Sequence, residues 1–171
     1  MKATTATFTL LAGTLLAGLT AASSSWAGPL ADKLVGTWAV TEAATHEANG
    51  TTSYPYGKSP KGILIFTKDG HFAQIMSTGD IPKFASNNRV TGTPEEYKAV
   101  VQKSLAFFGT YTVDEEKKMI TYKLDASTFP NWEGSNQVRS IVVLTSDRFV
   151  YSNPSASAGG VAENAYRRAG N

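Results

Sequence analysis

Hydrophobic and polar residues alternate along much of the chain, as they do in strands that have one buried face. The clearest run is the segment 120–125, where Ile, Tyr and Leu alternate with Thr, Lys and Asp. A period of two places the apolar set on one side of a sheet and the polar set on the other. Turn residues separate short segments of this kind and predict eight strands: 34–43, 61–67, 71–77, 110–114, 119–126, 137–144, 148–153 and 161–169.

One segment has a helical pattern instead. Thr93 and Glu96 have the spacing of a capping box, and Pro94 stands at the first helical position. Gly109 is typical of a residue just beyond a helix end. Apolar residues between them recur at intervals of three or four and predict a buried helix face: Tyr97, Val101, Leu105 and Phe108.

Eight antiparallel strands of this length can close into a barrel that leaves no free edges. Near the start of the chain, Gly36 permits a bend at a barrel end, and the ring of Trp38 is large enough to fill that end. We therefore predict an all-β fold, a closed antiparallel eight-stranded barrel with one inserted α-helix. Closure between the first and last strands would place Trp38 near Arg167 or Arg168, in cation–π geometry.

The first 27 residues have the composition of a secretory signal peptide. Lys2 precedes an apolar run over 8–20, and Ser25 and Ala27 are the small residues that a signal peptidase reads. We expect cleavage after Ala27, a domain over 28–171, and export to the periplasm or the medium. The apolar run is too short to span a bilayer comfortably, so no membrane insertion is expected after its removal.

Charge and cysteine content narrow the class of function. Lys2 is the only charged residue of the first 27, so the remainder carries a formal net charge of +1. This balance does not favour a nucleic-acid partner. The chain has no cysteine, which excludes disulfides, thiolate nucleophiles and cysteine-ligated metals.

Catalytic and metal-binding motifs are absent from the sequence. His46 and His71 have no pattern of further ligands around them, so no metal or other cofactor is expected. No Gly-x-Ser-x-Gly elbow and no glycine-rich phosphate loop occur. The glutamate pairs 95–96 and 115–116 are explained by a helix start and a turn.

Aromatic and basic residues in the predicted strands and loops are the candidate ligand contacts. If Tyr111, Tyr122 and Arg139 point inward, they give an apolar pocket a few polar anchors, and Arg139 suits a carboxylate or phenolate. Arg139 could instead lie outside and pair with Asp125 or Glu133, the tyrosines could be ordinary core, and Trp132 could simply cap the barrel. The full candidate set is Arg139, Tyr111, Tyr122, Trp132, Gln137, Phe84 and Arg89.

Several segments, taken in order, resemble the lipocalin-like domain family of bacterial and fungal proteins. They are Leu-Val-Gly-Thr-Trp at 34–38, the segments 54–57 and 60–67, Asp-Gly at 69–70, and the segments 92–97, 108–111, 129–134 and 137–139. The resemblance covers nearly all of residues 28–171. It implies a small, stand-alone lipocalin-type barrel, in a family for which no general reaction or ligand is established.

Three hypotheses of function follow. The first is an exported carrier that holds an apolar or aromatic ligand, acidic or neutral, in the barrel. The second is a cofactor-independent isomerase or cyclase, in which Tyr111 or Tyr122 moves a proton and Arg139 holds an oxyanion. The third is a structural or partner-binding barrel that uses the loops at 54–57 and 129–132.

Overall fold

The chain folds into one closed antiparallel β-barrel in the computed structural model, which describes residues 28–157 and 159–170. The predicted signal peptide lies outside the described residues. The elements are α1 (Pro29–Leu34), β1 (Gly36–His46), β2 (Thr52–Ser53), β3 (Lys61–Phe66), β4 (His71–Ser77), α2 (Pro94–Lys103), β5 (Ser104–Asp114), β6 (Met119–Ser127), a 3-10 turn (Pro130–Trp132), β7 (Asn136–Leu144), β8 (Arg148–Asn153) and β9 (Val161–Arg168).

The barrel closes between the first and last strands, as predicted. β1 and β3 to β9 are the eight barrel strands, while β2 is a two-residue strand paired with the end of β1. β1 pairs with β9 from Trp38 opposite Arg168 to His46 opposite Val161. The predicted fold class is therefore confirmed, and β1 continues to His46, past the predicted end at residue 43.

Trp38 fills the end of the barrel where β1 begins. Its side chain is fully buried, and its Nε1 donates to the carbonyl of Leu34 at 2.7 Å. The Cζ of Arg168 lies 4.0 Å from the ring centroid, so the predicted cation–π contact is formed by Arg168 rather than by Arg167. Gly36 has a φ of 127°, and a Cβ there would collide with the Arg168 guanidinium.

Helix α1 was not predicted, and it closes this end further. Its Leu34 is fully buried in the core. The Glu115 carboxylate accepts hydrogen bonds from the backbone nitrogens of Leu30 and Ala31, each at 3.1 Å. We call this the closed end, and the opposite one the mouth end.

The predicted inserted helix is real but shorter than expected. Thr93 and Glu96 form the predicted capping box, with reciprocal hydrogen bonds of 3.3 and 2.8 Å. The helix stops at Lys103, and Leu105 lies in strand β5. The predicted buried helix face, Tyr97, Val101, Leu105 and Phe108, is therefore wrong.

Strand pairing explains the earlier helix end. Residues 104–110 pair with the whole of β4, and their inward positions alternate, with Leu105 and Phe107 buried while Phe108 is 52% exposed. Gly109 does not end a helix; it sits at a register shift between β5 and β6, against the backbone of Lys123. The helical spacing of apolar residues in this segment is coincidental. The hydrogen bonds that β5 makes with its two neighbouring strands determine its conformation.

The core fills the barrel interior from the closed end upward. It is rich in stacked and edge-on aromatic rings: Trp38, Phe66, Phe72, Phe107, Tyr111, Tyr122, Phe149, Tyr151 and Tyr166. Within residues 28–157 and 159–170, no helix has the length and apolar character needed to cross a bilayer.

Candidate functional site

An interior cavity lies at the mouth end of the barrel, above the aromatic core. It has a volume of about 40 Å³, which holds two or three water molecules at most. Its walls come from β1, β4, β5, β7, β8 and β9, from the loops at 55–56 and 156–157, and from the 3-10 turn. The side chains that matter most are Tyr56, Gln74, Leu105, Trp132, Arg139, Tyr151, Asn153 and Asn164.

Arg139 is the cation of this cavity. Strand β7 alternates, so Arg139 points to the same side as its buried partner Ile120, and it is only 1% exposed. Its Nη1 donates to the side-chain oxygen of Asn153 and to the carbonyl of Val138, both at 2.9 Å. Both acceptors are neutral, and in the described part of the chain no carboxylate pairs with Arg139.

Three aromatic rings surround the Arg139 guanidinium. Its Cζ lies 5.5 Å from the ring centroid of Tyr122 and 5.8 Å from those of Trp132 and Tyr151. Cation–π contacts of this kind are worth up to about 2 kcal/mol where water is excluded. The cation–π contacts stabilise the buried charge only in part. A ring face does not accept hydrogen bonds from the N–H groups in the way that an oxygen atom does.

Three buried donor groups near this cation have no hydrogen-bond partner among the described residues. They are Nε of Arg139, Nε2 of Gln74 and the hydroxyl of Tyr122. A buried donor left unpaired costs about 1–3 kcal/mol. Arg139 and Gln74 also line the cavity, so two of these unpaired donors belong to side chains of its wall.

A hydrogen-bonded network forms the side of the cavity opposite Trp132. Asn164 Nδ2 donates to the hydroxyl of Tyr151 at 2.8 Å, and that hydroxyl donates to Oε1 of Gln74 at 3.3 Å. The Tyr166 hydroxyl is 3.2 Å from the Tyr151 hydroxyl. Burial, followed by the neighbouring tyrosines, raises the pKa of Tyr166 well above its usual value, so Tyr166 is a neutral phenol here.

Tyr56 is a half-buried residue of the cavity wall. Burial raises the pKa of the Tyr56 phenol to about 12, with a smaller contribution from Tyr151. Outside it lies a groove of about 400 Å³ between the loop at 55–56, helix α2 and the loop at 128–129. Four residues belong to both the cavity wall and the groove: Pro55, Tyr56, Leu105 and Ser157.

The structure brings some of the sequence-predicted contacts together. Arg139 and Trp132 line the cavity, and the Tyr122 ring lies below the guanidinium. Gln137 is opposite Tyr122 in the sheet, and its Nε2 donates to the Ser135 hydroxyl at 3.0 Å. Arg139 does not lie on the outer face with Asp125 or Glu133, and Trp132 both closes the mouth and forms cavity wall.

Three predicted contacts lie elsewhere. The Tyr111 hydroxyl donates to the carbonyl of Thr67 at 2.9 Å, at the closed end. Phe84 packs on the ring of Tyr97 in the segment before α2, and Arg89 is exposed in the same segment. Phe84 and Arg89 line neither the cavity nor the groove.

Sequence reasoning missed the polar wall of the cavity. Gln74, Asn153 and Asn164 are buried although they are amides. The signal was available, because Asn153 follows the inward positions Phe149 and Tyr151 at a period of two. An asparagine near a strand end more often indicates a turn. The alternation that places Asn153 inward is therefore easy to overlook.

The geometry of the tyrosines bears on the proton-transfer hypothesis. The Tyr122 hydroxyl makes no hydrogen bond to Arg139, whose contact is with the ring face. Burial raises the pKa of Tyr122 well above its usual value, with Tyr151 adding to the effect and Arg139 opposing it. This arrangement does not favour proton transfer between Tyr122 and Arg139. In the described ranges, no group of three or more His, Asp or Glu side chains converges as metal ligands.

Comparisons with known proteins give one clear match. A model of the lipocalin-like domain family matches residues 35–165. No curated protein matches the chain.

Solved structures of low sequence identity are similar in overall shape. A redesigned β-barrel has 13% identity and a TM-score of 0.43, and covers 82% of this chain and 96% of its own. A de novo designed fluorescence-activating β-barrel has 12% identity and a TM-score of 0.41, covering 81% and 95%. The fluorescent protein UnaG, in a point-mutant form, has 16% identity and a TM-score of 0.36, covering 81% and 97%.

Proposed function

Because the chain belongs to the lipocalin-like domain family, we propose that it is a small-molecule binding protein that takes an apolar or aromatic ligand at the mouth end of its barrel. The observation that carries this proposal is the pair of unpartnered donors, Arg139 Nε and Gln74 Nε2, beside the interior cavity. Binding sites for small molecules combine apolar walls with a few converging polar groups of this kind.

The size of the cavity limits how such a ligand is held. Pockets for drug-sized ligands have volumes of roughly 300–1,000 Å³, whereas the interior cavity has about 40 Å³. The interior therefore takes only one end of a ligand in this conformation. The rest of the ligand occupies the mouth groove, whose volume of about 400 Å³ is adequate.

We also propose that the protein is exported, as a periplasmic or secreted carrier. Support comes from the sequence pattern before residue 28. Mass spectrometry of the protein from its own host tests this point. A mature form that begins at Gly28 is the expected result, and a form that retains residues 1–27 would contradict it.

Binding itself is tested with the neutral fluorescent dye N-phenyl-1-naphthylamine. Ala43 lines the cavity and is buried, so Ala43→Leu fills the space, and we expect the dye to bind at least about tenfold more weakly. Ala85 is exposed in the segment before α2 and lines neither the cavity nor the groove, and Ala85→Leu is the matched control, with affinity unchanged. Circular dichroism checks that both variants are folded.

Native mass spectrometry of the freshly purified protein is the second measurement. A co-purified small molecule, lost from the Ala43→Leu variant, is the expected result. Absence of any bound molecule together with dye binding insensitive to Ala43→Leu would overturn the proposal.

A further inference from the structure

The buried cation and the mouth groove together indicate which class of ligand the barrel takes. Resting on the function proposed above, we infer that the ligand is an amphipathic carboxylic acid, with its carboxylate inside at Arg139 and its apolar chain in the mouth groove. Three observations carry the inference: the charge of the cavity, the edge of the guanidinium that is free, and the continuity of cavity and groove.

The first observation is an uncompensated positive charge. Arg139 is 99% removed from solvent, and its hydrogen-bond acceptors, Asn153 and Val138, carry no charge. A buried ion without a counter-ion is costly, and an anionic ligand removes that cost in a way that a neutral ligand does not.

The second observation is the geometry of the free donors. Both hydrogen bonds of Arg139 leave from Nη1, so the opposite edge of the guanidinium, which contains Nε, is the unpartnered one. Two parallel hydrogen bonds from such an edge match the two oxygens of a carboxylate. Gln74 Nε2 is a further donor at the same cavity, and a carboxylate is an acceptor that offers lone pairs to all of them.

The third observation is the shared wall. The interior cavity is large enough for a head group alone. Among the described residues, Pro55, Tyr56, Leu105 and Ser157 line both the cavity and the groove. The groove is lined by Phe129 and by Val101, which is 72% exposed. A chain that leaves the cavity past Leu105 reaches the apolar groove residues Phe129 and Val101 while its carboxylate stays at Arg139, the charged residue of the cavity, and this sets the orientation of the ligand.

Matched acids and alcohols test the head group. Isothermal titration calorimetry compares octanoate with 1-octanol, which has the same chain without the charge. We expect octanoate to bind at least about tenfold more tightly to the unmodified protein. Arg139→Met retains an apolar stem and removes the charge, and should weaken octanoate at least about tenfold and 1-octanol much less, because the alcohol carries no charge. Arg89→Met, at an exposed arginine outside the barrel, is the control and should change neither.

Chain length tests the groove. Affinity should rise from butanoate through octanoate to decanoate, measured below micelle-forming concentrations. Val101→Glu places a charge in the groove and should weaken decanoate several-fold with little effect on butanoate. Val90→Glu is the matched control, because Val90 is 69% exposed but does not line the groove.

The outcomes separate this inference from the proposed function. Equal affinity for octanoate and 1-octanol, or octanoate binding that Arg139→Met does not weaken, would overturn the carboxylate. Dye binding that is lost in Ala43→Leu, without any fatty-acid binding, would overturn the inference and leave the proposed function standing. If neither the dye nor the acids bind, both are wrong.

Discussion

Single side chains determine how each end of this barrel is closed. At the closed end, Arg168 lies over the Trp38 ring and also donates from Nη1 to the carbonyl of Val35 at 2.9 Å and from Nε to that of Ser146 at 2.6 Å. One side chain therefore joins the start of β1, the turn before β8 and the end of β9.

Arg168→Met should reduce the free energy of unfolding by about 2 kcal/mol, because it removes a cation–π contact and charged hydrogen bonds to backbone carbonyls. Urea denaturation followed by tryptophan fluorescence measures the change. The neighbouring Arg167 is exposed, and Arg167→Met should change stability by less than about 0.5 kcal/mol. Equal effects of the two substitutions would contradict the role assigned to Arg168.

The buried tyrosines should make the barrel sensitive to alkali. The pKa of Tyr166 is raised above 10.0 in the folded state, so its contribution to stability is complete below pH 10 and is lost as pH rises toward the folded pKa. Above pH 10 each such tyrosine lowers the free energy of unfolding by about 1.4 kcal/mol per pH unit.

Tyr166→Phe removes one ionising group. Above pH 10 the free energy of unfolding of this variant should therefore fall less steeply with pH than that of the unmodified protein. Urea titrations at several pH values from 9 to 12 measure the slope, and Tyr54→Phe, at a partly exposed residue, is the comparison. A slope that is the same in Tyr166→Phe and in the unmodified protein would contradict the assignment of a raised pKa to Tyr166.

At the scale of elements, helix α2 differs from the strands because it has no buried residue. Its stability depends on the capping box and on its short connection to β5. Segments of this kind open locally without unfolding the rest of the molecule.

Thr93→Ala removes the cap and should destabilise α2 by about 1 kcal/mol. Hydrogen exchange should report this as faster exchange of the α2 amides alone, with the global unfolding midpoint unchanged. Thr91→Ala, just before the cap, should leave the α2 amides protected. A lowered global midpoint for Thr93→Ala would show that α2 supports the barrel more than its exposure indicates.

Strand β5 depends on the close approach at Gly109. A Cβ at this position would overlap the carbonyl oxygen of Lys123 in the neighbouring strand. Gly109→Ala should therefore cost about 1–3 kcal/mol, as overpacking does in other cores. Gly79→Ala is the control, since the nearest atom to its Cβ would be 3.5 Å away on a flexible lysine. Urea denaturation measures both, and similar small effects would contradict a tight contact at Gly109.

At the scale of the whole molecule, the sequence predicted the barrel because alternation, turn residues and strand number all pointed to it. The contact between Trp38 and Arg168 followed from one assumption, that the first strand meets the last. The length of α2 could not be predicted, since Leu105 and Phe108 fit a helix face as well as they fit a strand, and only pairing with β4 decides between them.

The cavity was only partly predictable for a related reason. Arg139 was identified by its type and strand position. The amides of Gln74, Asn153 and Asn164 were missed because only the alternation along their strands indicates that they point inward, and their residue type indicates the opposite. Phe84 and Arg89 were chosen by type from a segment whose path depends on long-range contacts. Residue chemistry predicted the centre of the site, and only the fold defines its boundary.

Closure can be tested with an engineered disulfide, because the chain has no cysteine. Ala39 and Arg167 are paired across the β1–β9 seam. The double variant Ala39→Cys with Arg167→Cys should form a disulfide and raise the free energy of unfolding by up to about 4–5 kcal/mol, since the enclosed loop is long. Comparing oxidised with reduced protein in urea measures this.

A second double variant controls for proximity by chance. Glu163 lies on β9 opposite Ala44, several positions from Ala39. Ala39→Cys with Glu163→Cys should stay reduced under the same conditions. Formation of this second disulfide, or failure of the first, would contradict the register of the seam.

The position of the cavity on that seam has a mechanical consequence. Ala43 of β1 and Asn164 of β9 both line it and are directly paired, so a molecule lodged there touches the first and last strands at once. A bound ligand would contact both strands and hold them together. The ligand-bound protein should therefore need more force to unfold than the ligand-free protein when its two termini are pulled apart. Conversely, we expect tension on the termini to weaken the binding of a ligand held in this cavity.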